Sequence, residues 1–299
     1  MLDMLNKLQQ RGLIFAILGV TAFSLTLPFT KIALESFNSY FTAFTRPIIA
    51  SFIAIPLMII FKVPSLPRFL LRPMIFTTIG AVFGWPILIA MALDRTTSAH
   101  VSVIAAVMPL VTAIIAVIKT NRKTGISFWI ASLIGTILLI IFSISRNGFS
   151  TSDLYTDLLI LLAVFASSYC YVEGAGLTNY MPGWQVISWV VIISLPIAIP
   201  GAIISFFLTK SNYEIQSNAL IGIMVIGISS MYLGFIAWYK GLKDFGVTHG
   251  SQIQQLQSLL TLVWSALFLG ESITFSMVFL CVGIIICVLW AISKVNNPQ

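Results

Sequence analysis

A cluster of four glutamines is the first feature of the chain that could do chemistry. The segment Thr248–Ser258 reads THGSQIQQLQS, and it lies in a sequence whose other long segments are almost wholly apolar. At 100° per residue, six polar side chains in and after this segment fall within about 120° of one another on a helix. This polar stripe consists of Ser251, Gln254, Gln255, Ser258, Thr261 and Ser265.

Two interpretations of the polar stripe compete, because an unpaired amide in hydrocarbon costs several kcal/mol. In the first, the amides hydrogen-bond neighbouring helices, and each pair contributes about 1 kcal/mol or less. In the second, they line a cavity that binds a polar ligand. Six small or polar residues on one face exceed what helix adhesion requires, so we favour the cavity.

Three residues that ionise within apolar segments are further candidates. Arg46 could bind a carboxylate with two parallel hydrogen bonds, or it could bond to backbone carbonyls as a structural residue. Glu173 could carry a proton, with His249 as a partner near the same membrane face, or it could reach the interface from its shallow depth. The sequence contains no nucleotide-binding loop, metal cluster or histidine next to a carboxylate pair, so we predict no enzymatic activity.

The composition places all of these residues in a membrane. Of the 299 residues, 59% are apolar and only 8% are charged, and the mean hydropathy is +1.03. Since about 20 apolar residues cross a bilayer core about 30 Å thick, the apolar runs predict an all-α integral membrane protein with ten transmembrane helices. The predicted spans are approximately 13–33, 38–61, 70–93, 98–119, 126–143, 156–177, 183–208, 218–240, 247–269 and 273–292.

No cofactor, metal site or disulfide framework is predicted. The three cysteines, Cys170, Cys281 and Cys287, all lie inside spans and are expected to pack there. The net charge of +7 requires no nucleic-acid partner, because basic loops against an anionic leaflet account for it. We expect the lipid bilayer and a small molecule as partners, protons as a candidate coupling ion, and a monomer or weak dimer.

The basic residues predict the orientation. With the N-terminus inside, eleven Lys and Arg residues lie on the inner side and four on the outer side. Positively charged loops stay in the cytoplasm, so both termini are expected to be cytoplasmic.

The two halves of the sequence resemble each other. Eight positions in 48–60 recur at an offset of 144 residues, and six positions in 93–127 recur at an offset of 149, including the two histidines of the chain. Five spans per half is an odd number, so the second half must enter the membrane from the opposite side. We therefore predict two inverted five-helix repeats, 1–143 and 156–299, joined by a linker over 144–155. Inverted repeats build many secondary carriers, with the ligand site near the midplane where the halves meet.

The fourth span supplies the counterpart of the polar stripe. Its small residues either allow close helix packing or leave volume for a ligand. Pro109 weakens the helix near mid-span, and Met108 beside it can adapt to an apolar group. The matching positions are Ser102, Ala105, Ala106, Pro109, Thr112 and Ala116.

Two long segments resemble the EamA-type drug/metabolite transporter superfamily. They read GWPILIAMALDRTTSAHVSVIAAVMPLVTAIIAV and IAWYKGLKDFGVTHGSQIQQLQSLLTLVWSALFLGES, and the resemblance covers nearly the whole chain. Its most specific pieces are the context of Pro109 and the triplet Leu269, Gly270 and Glu271. The resemblance implies a carrier in the bacterial inner membrane that often exports amino acids or related metabolites. It also implies that spans 3, 6 and 8, which carry several aromatic residues, help to form the cavity.

We therefore predict a secondary transporter, an exporter, that moves a small polar metabolite such as an amino acid or a derivative by alternating access. The alternative is a non-transporting membrane component, such as a lipid-handling or signalling subunit. The predicted proton-coupling residues are Glu173 and His249. The predicted substrate-binding residues are Arg46, Trp85, Ser102, Met108, Tyr169, Tyr232, Trp238, Ser251, Gln254, Gln255 and Ser258.

Overall fold

The computed structural model describes residues 7–93, 95–96, 98–121, 124–147, 153–208, 216–270 and 273–293. Glu271 of the family triplet lies outside these ranges. The described α-helices are α1 Lys7–Ser24, α2 Thr26–Ala33, α3 Ser39–Ile60, α4 Arg68–Thr78, α5 Trp85–Leu93, α6 Ser98–Ala105, α7 Met108–Thr120, α8 Ile126–Asn147, α9 Leu154–Leu177, α10 Gly183–Leu208, α11 Ser217–Val225, α12 Gly234–Phe245, α13 Val247–Ile253, α14 Leu256–Leu269 and α15 Phe275–Ser293.

Two π-helices interrupt the third and eighth spans. Ile79–Gly84 lies between α4 and α5, and Ile226–Leu233 lies between α11 and α12. We call them the first and the second π-helix. They occupy equivalent places in the two halves of the chain, and a π-helix often marks a functional site.

The helices account for the ten predicted membrane spans. Within the described ranges, nine helical segments are long and apolar enough to cross a membrane. The predicted span 247–269 is present as α13 and α14, which have 7 and 14 residues because the helix is interrupted between them. We number the spans 1 to 10 in chain order, and we call the membrane side that holds the start of α1 the N-terminal side.

The packing of the spans supports the inverted repeat. Span 2 packs against span 7, span 4 against span 9 and span 5 against span 10. Span 1 packs against span 8, and span 3 packs against span 6. If each span of the first half is exchanged with the span five positions later in the second half, the same set of contacts results. Two halves that are related by a pseudo-two-fold axis must show this symmetry. The fold is therefore the ten-span, all-α arrangement that the sequence predicts.

Glycines bring α1 and α12 close together. A Cβ on Gly19 would lie 2.8 Å from the backbone nitrogen of Trp238, and a Cβ on Gly241 would lie 2.5 Å from that of Ala16. Phe23 and Tyr171 then pack on the Trp238 ring, with ring centroids 6.1 and 5.6 Å away. This tight, aromatic packing closes the core between spans 1, 6 and 8.

Side-chain caps fix two helix starts on the side opposite the N-terminal side. Asn38 accepts a hydrogen bond from the backbone of Phe41 at 2.6 Å and donates one to the carbonyl of Ser205 at 2.8 Å, so it also ties span 2 to span 7. Asp153 caps α9 by accepting a hydrogen bond from Thr156 at 3.1 Å. The hydrogen bonds of Thr156, together with nearby Arg95, hold the pKa of the Asp153 carboxyl below its usual value.

Besides the two spans with π-helices, three described spans depart from the continuous helices that the sequence predicts. Span 1 is interrupted at Leu25, span 4 at Ala106 and Val107, and span 9 at Gln254 and Gln255. In span 4 the physical reason is Pro109, which has no N–H to continue the hydrogen bonding of α6 and which lies in the first turn of α7, where no such donor is needed. In span 9 the backbone forms a tighter turn instead. The backbone N–H groups of Gln254 and Gln255 donate to the backbone carbonyls three residues before them, both at 3.1 Å.

Candidate functional site

A cavity of about 120 Å³ lies where the interruptions of spans 4 and 9 meet. Its wall also includes residues of spans 1, 3 and 5. Most of these residues belong to the halves of their spans that are remote from the N-terminal side. The lining residues are Leu27, Trp85, Ala105, Ala106, Met108, Pro109, Leu139, Phe142, Ser143, Gln254, Gln257, Ser258 and Thr261.

The cavity wall has a polar side and an apolar side. Span 9 supplies two amides and two hydroxyls, from Gln254, Gln257, Ser258 and Thr261. The opposing wall is mainly apolar and includes the indole of Trp85. None of the described residues that line the cavity carries a formal charge. The cavity therefore suits a small solute that has no net charge and both polar and apolar parts.

Gln254 contributes a side-chain amide whose hydrogen bonding is incomplete. Its amide nitrogen donates to the sulfur of Met108 at 3.1 Å, which is a weak hydrogen bond. Its amide oxygen is buried and has no partner among the described residues. A buried acceptor without a donor costs about 1 to 3 kcal/mol, so a ligand with an N–H or O–H group would relieve this cost.

The side-chain amides of Gln252 and Gln255 stabilise span 9 at its interruption through hydrogen bonds. The amide nitrogen of Gln255 donates to the amide oxygen of Gln252 at 2.7 Å. The amide nitrogen of Gln252 donates to the hydroxyl of Ser251 at 3.2 Å and to the carbonyl of Pro109 at 3.4 Å. The oxygen of Gln255 lies so close to Gly135 that a Cβ there would come within 2.3 Å. These two amides join spans 4, 5 and 9, and they do not line the cavity.

Span 9 is also tied to the interruption in span 1. The hydroxyl of Thr261 donates to the carbonyl of Ser24 at 3.0 Å, and the indole of Trp264 donates to the Ser24 hydroxyl at 2.8 Å. Ser24 directly precedes the turn at Leu25. The interruptions of spans 1, 4 and 9 therefore surround one region, and the cavity lies in that region.

The structure brings only some of the predicted substrate-binding residues to the cavity. Trp85, Met108, Gln254 and Ser258 line it. Ser102 belongs to α6, but its side chain lies outside the described residues.

The remaining predicted residues of the central spans make internal contacts. Ser251 donates to the carbonyl of Thr248 at 2.7 Å. The hydroxyls of Tyr232 and Ser188 lie 2.7 Å apart, and Trp238 is fully buried in the aromatic core.

Sequence reasoning missed several lining residues. Gln257 fell off the polar stripe because the helical wheel assumes 100° for every residue, and the turn at Gln254 and Gln255 breaks this regularity. Leu139 and Phe142 of span 5 have ordinary apolar side chains, and no local pattern distinguishes them from lipid-facing residues.

The predicted proton-coupling residues have different neighbours. Glu173 forms an ion pair with Lys119 at the end of α7 and accepts a hydrogen bond from the hydroxyl of Tyr169 at 2.8 Å. The Glu173 side chain is only 12% exposed. The ring of His249 packs against Phe128 of α8, with ring centroids 5.0 Å apart. Glu173 and Lys119 therefore connect spans 6 and 4 at the N-terminal side.

Arg46 lies in span 2, away from the residues that line the cavity. One of its terminal nitrogens donates to the hydroxyl of Ser230 in the second π-helix at 3.1 Å. Its Nε atom is buried and has no hydrogen-bond partner within the described part of the chain.

Comparisons with known proteins agree with this architecture. A family model described as "EamA-like transporter family" matches residues 10–145 and 154–293. A protein of Bacillus subtilis (strain 168), named "Uncharacterized transporter YdeK", is 33% identical over 278 residues, which is 93% of this chain and 95% of the relative. A solved structure titled "Crystal structure of protein" superposes with a TM-score of 0.79 at 16% identity and covers 95% of this chain and 99% of its own. At that identity the likeness concerns the fold alone.

Proposed function

Since the chain belongs to the EamA-like transporter family, we propose that it is a secondary carrier that exports a small, net-neutral metabolite such as an amino acid or a derivative. The observation that carries this proposal is the uncharged cavity, with one polar side and one mainly apolar side, between the interrupted helices of spans 4 and 9. A zwitterion has no net charge, and its polar head and apolar side chain match the two sides of the wall.

Alternating access is the proposed mechanism, because the two halves are inverted copies whose interrupted helices meet at the cavity. On the N-terminal side, spans 1 and 8 pack closely and Lys119 is paired with Glu173. The cavity lies in the remote half of the protein. We propose that this arrangement is one end state and that the second state opens the N-terminal side.

Proton coupling through Glu173 is part of the proposal. Protonation would neutralise this carboxylate and release Lys119, so the N-terminal-side end of α7 would be free to move away from α9. The same proton would thereby favour the state that opens on this side. This links the charge of one side chain to the position of an interrupted helix.

The bacterial inner membrane is the proposed location, with both termini in the cytoplasm. The basis is the excess of Lys and Arg residues on the N-terminal side. In this orientation the cavity of the present structure lies in the outer half of the bilayer, and export requires that the substrate enter through the side that is closed here.

Binding and flux experiments test the proposed function. The purified full-length protein is heated with a panel of amino acids and, separately, with phospholipid headgroup analogues; a substrate raises the melting temperature by mass action. The amino acid with the largest effect is then used in counterflow assays with proteoliposomes. Stabilisation together with counterflow supports a carrier. Stabilisation by headgroup analogues alone, without counterflow of any amino acid, would instead favour a lipid-handling component.

A further inference from the structure

Arg46 is a membrane-embedded cation whose surroundings provide little compensation. It lies in the first half of α3, on the face that meets the second π-helix. Its recorded hydrogen bond is to the hydroxyl of Ser230, and its Nε atom is buried without a partner among the described residues. One neutral hydroxyl does not offset the loss of water around a guanidinium.

Each described carboxylate that forms an ion pair does so with a basic residue other than Arg46. Glu173 pairs with Lys119, Asp244 pairs with Lys240 at 3.4 Å, and Asp153 lies 4.0 Å from Arg95. Within the described part of the chain, no carboxylate forms an ion pair with Arg46. An uncompensated charge at this depth is expensive, and such charges in membrane proteins usually serve a function.

The second π-helix contributes two consecutive serines, and one of them contacts the guanidinium. The hydroxyl of Ser230 donates to the carbonyl of Ile226 at 2.8 Å, so its oxygen is the atom that accepts from Arg46. The hydroxyl of the adjacent Ser229 is buried and has no partner among the residues that the structure describes. Gly227 keeps this π-helix close to α3, because a Cβ there would lie 2.8 Å from the Cβ of Ile49.

We propose that Arg46 is a binding station, that is, a transient binding site, for the carboxylate of the transported substrate, and that the unpaired hydroxyl of Ser229, next to Ser230 in the chain, contributes a further donor. The inference deepens the proposed function and rests on it for the identity of the ligand. An arginine side chain matches a carboxylate geometrically through two parallel N–H groups, and here the Nε donor is unused. One cation suits a monoanionic group, whereas a phosphate ester would carry a second negative charge without a partner.

The station is separate from the cavity, because Arg46 does not belong to the cavity wall. The two sites have complementary preferences. The cavity favours a solute without net charge, and the station requires that this solute contain a carboxylate. Together they select carboxylate-bearing zwitterions over neutral amides and over simple cations.

A small monocarboxylate tests the station without knowledge of the substrate. The melting temperature of the purified full-length protein is measured as acetate replaces chloride at constant ionic strength, with acetamide as the neutral control. We expect acetate, and not acetamide, to stabilise the wild-type protein. Arg46→Gln should weaken apparent acetate binding by about tenfold or more, since it removes charge-assisted hydrogen bonds. Arg72→Gln is the matched control, because Arg72 is exposed and stacks on Phe76 at 5.9 Å.

Further variants separate this site from a purely structural role. Arg46→Lys should retain part of the acetate effect, and Ser229→Ala should reduce it while the protein stays folded. If acetate stabilises wild type and Arg46→Gln equally, or has no effect on wild type, the station does not exist. If acetate binding depends on Arg46 but no amino acid binds, the station stands and the proposed amino-acid substrate is wrong.

Discussion

The amide nitrogen of Gln254 lies 3.1 Å from the sulfur of Met108. Each of these residues stands at the interruption of its own span, and the two spans are equivalent members of the two repeats. The contact therefore joins the halves where both helices lose their regular backbone. A movement of α7 against α13 must change this contact, which couples the shape of the cavity to the relative position of the halves.

Gln254→Leu should weaken substrate binding and leave folding intact. The substitution removes the unpaired acceptor from the cavity wall, and the hydrogen bond that it breaks in the free protein is a weak one to sulfur. We expect up to about a tenfold loss of affinity, because one neutral hydrogen bond contributes about 0.5 to 1.5 kcal/mol. Calorimetric titration with the best amino acid of the panel measures the affinity, and a thermal melt measures stability.

Gln252→Leu is the matched control for this prediction. Gln252 is fully buried and hydrogen-bonds to Ser251, Pro109 and Gln255. Its loss should lower the melting temperature and affect affinity much less. The opposite pattern, in which Gln254→Leu lowers stability and keeps full affinity, would show that the stripe serves only to hold helices together.

Gly135→Ala should destabilise the protein through Gln255. The added methyl group would lie 2.3 Å from the Gln255 amide oxygen, so the amide or the backbone of α8 must shift. We expect a cost of about 1 to 3 kcal/mol, measured by thermal or denaturant unfolding. Gly176→Ala is the control, since a Cβ at Gly176 meets nothing within 4 Å.

A double-mutant cycle identifies the partner. In the presence of Gln255→Ala, the cost of Gly135→Ala should become much smaller, because the shorter side chain leaves room for the methyl group. Strictly additive effects would mean that the Gln255 amide is not what Gly135 accommodates.

The sequence was sufficient for the architecture, and it was insufficient for the site geometry. The spans and their inversion follow from apolar runs of about 20 residues and from an odd number of spans per repeat. The position of the cavity near Met108 and Gln254 followed from the match between spans 4 and 9. The sequence did not predict that Gln257 lines the cavity and that Gln255 does not, because this depends on the local turn at 254–255.

The π-helices were also beyond local sequence patterns. A π-helix differs from an α-helix in that its hydrogen bonds span five residues instead of four. This leaves the apolar composition of a span unchanged, so hydropathy contains no signal for it. The second π-helix nevertheless determines the surroundings of Arg46, because Arg46 donates a hydrogen bond to Ser230 within it. Such a contact depends on the packing of α3 against the eighth span and not on sequence spacing.

Cysteine labelling tests the proposed orientation. In a protein whose three cysteines are replaced, single cysteines at Glu35 or Thr274 should react with a membrane-impermeant thiol reagent in intact cells. Both positions are exposed, at the ends of spans remote from the N-terminal side. Cysteines at the exposed positions Ser65 and Asn179, on the N-terminal side, should react only after the cells are permeabilised. Reaction of the second pair alone in intact cells would reverse the orientation.

Glu173→Gln should abolish proton-driven transport and preserve substrate exchange. The amide cannot exchange a proton or pair with the Lys119 cation, but it still accepts a hydrogen bond from Tyr169. We therefore expect flux in proteoliposomes to lose its response to an imposed pH gradient, while counterflow of labelled substrate continues.

Lys119→Gln is the control variant for this prediction, because it breaks the same ion pair and leaves the carboxylate of Glu173 in place. It should retain a response to the pH gradient, although the rate of transport changes. A wild-type pH response in Glu173→Gln would remove this carboxylate from the coupling mechanism and leave the ion pair with a structural role between α7 and α9.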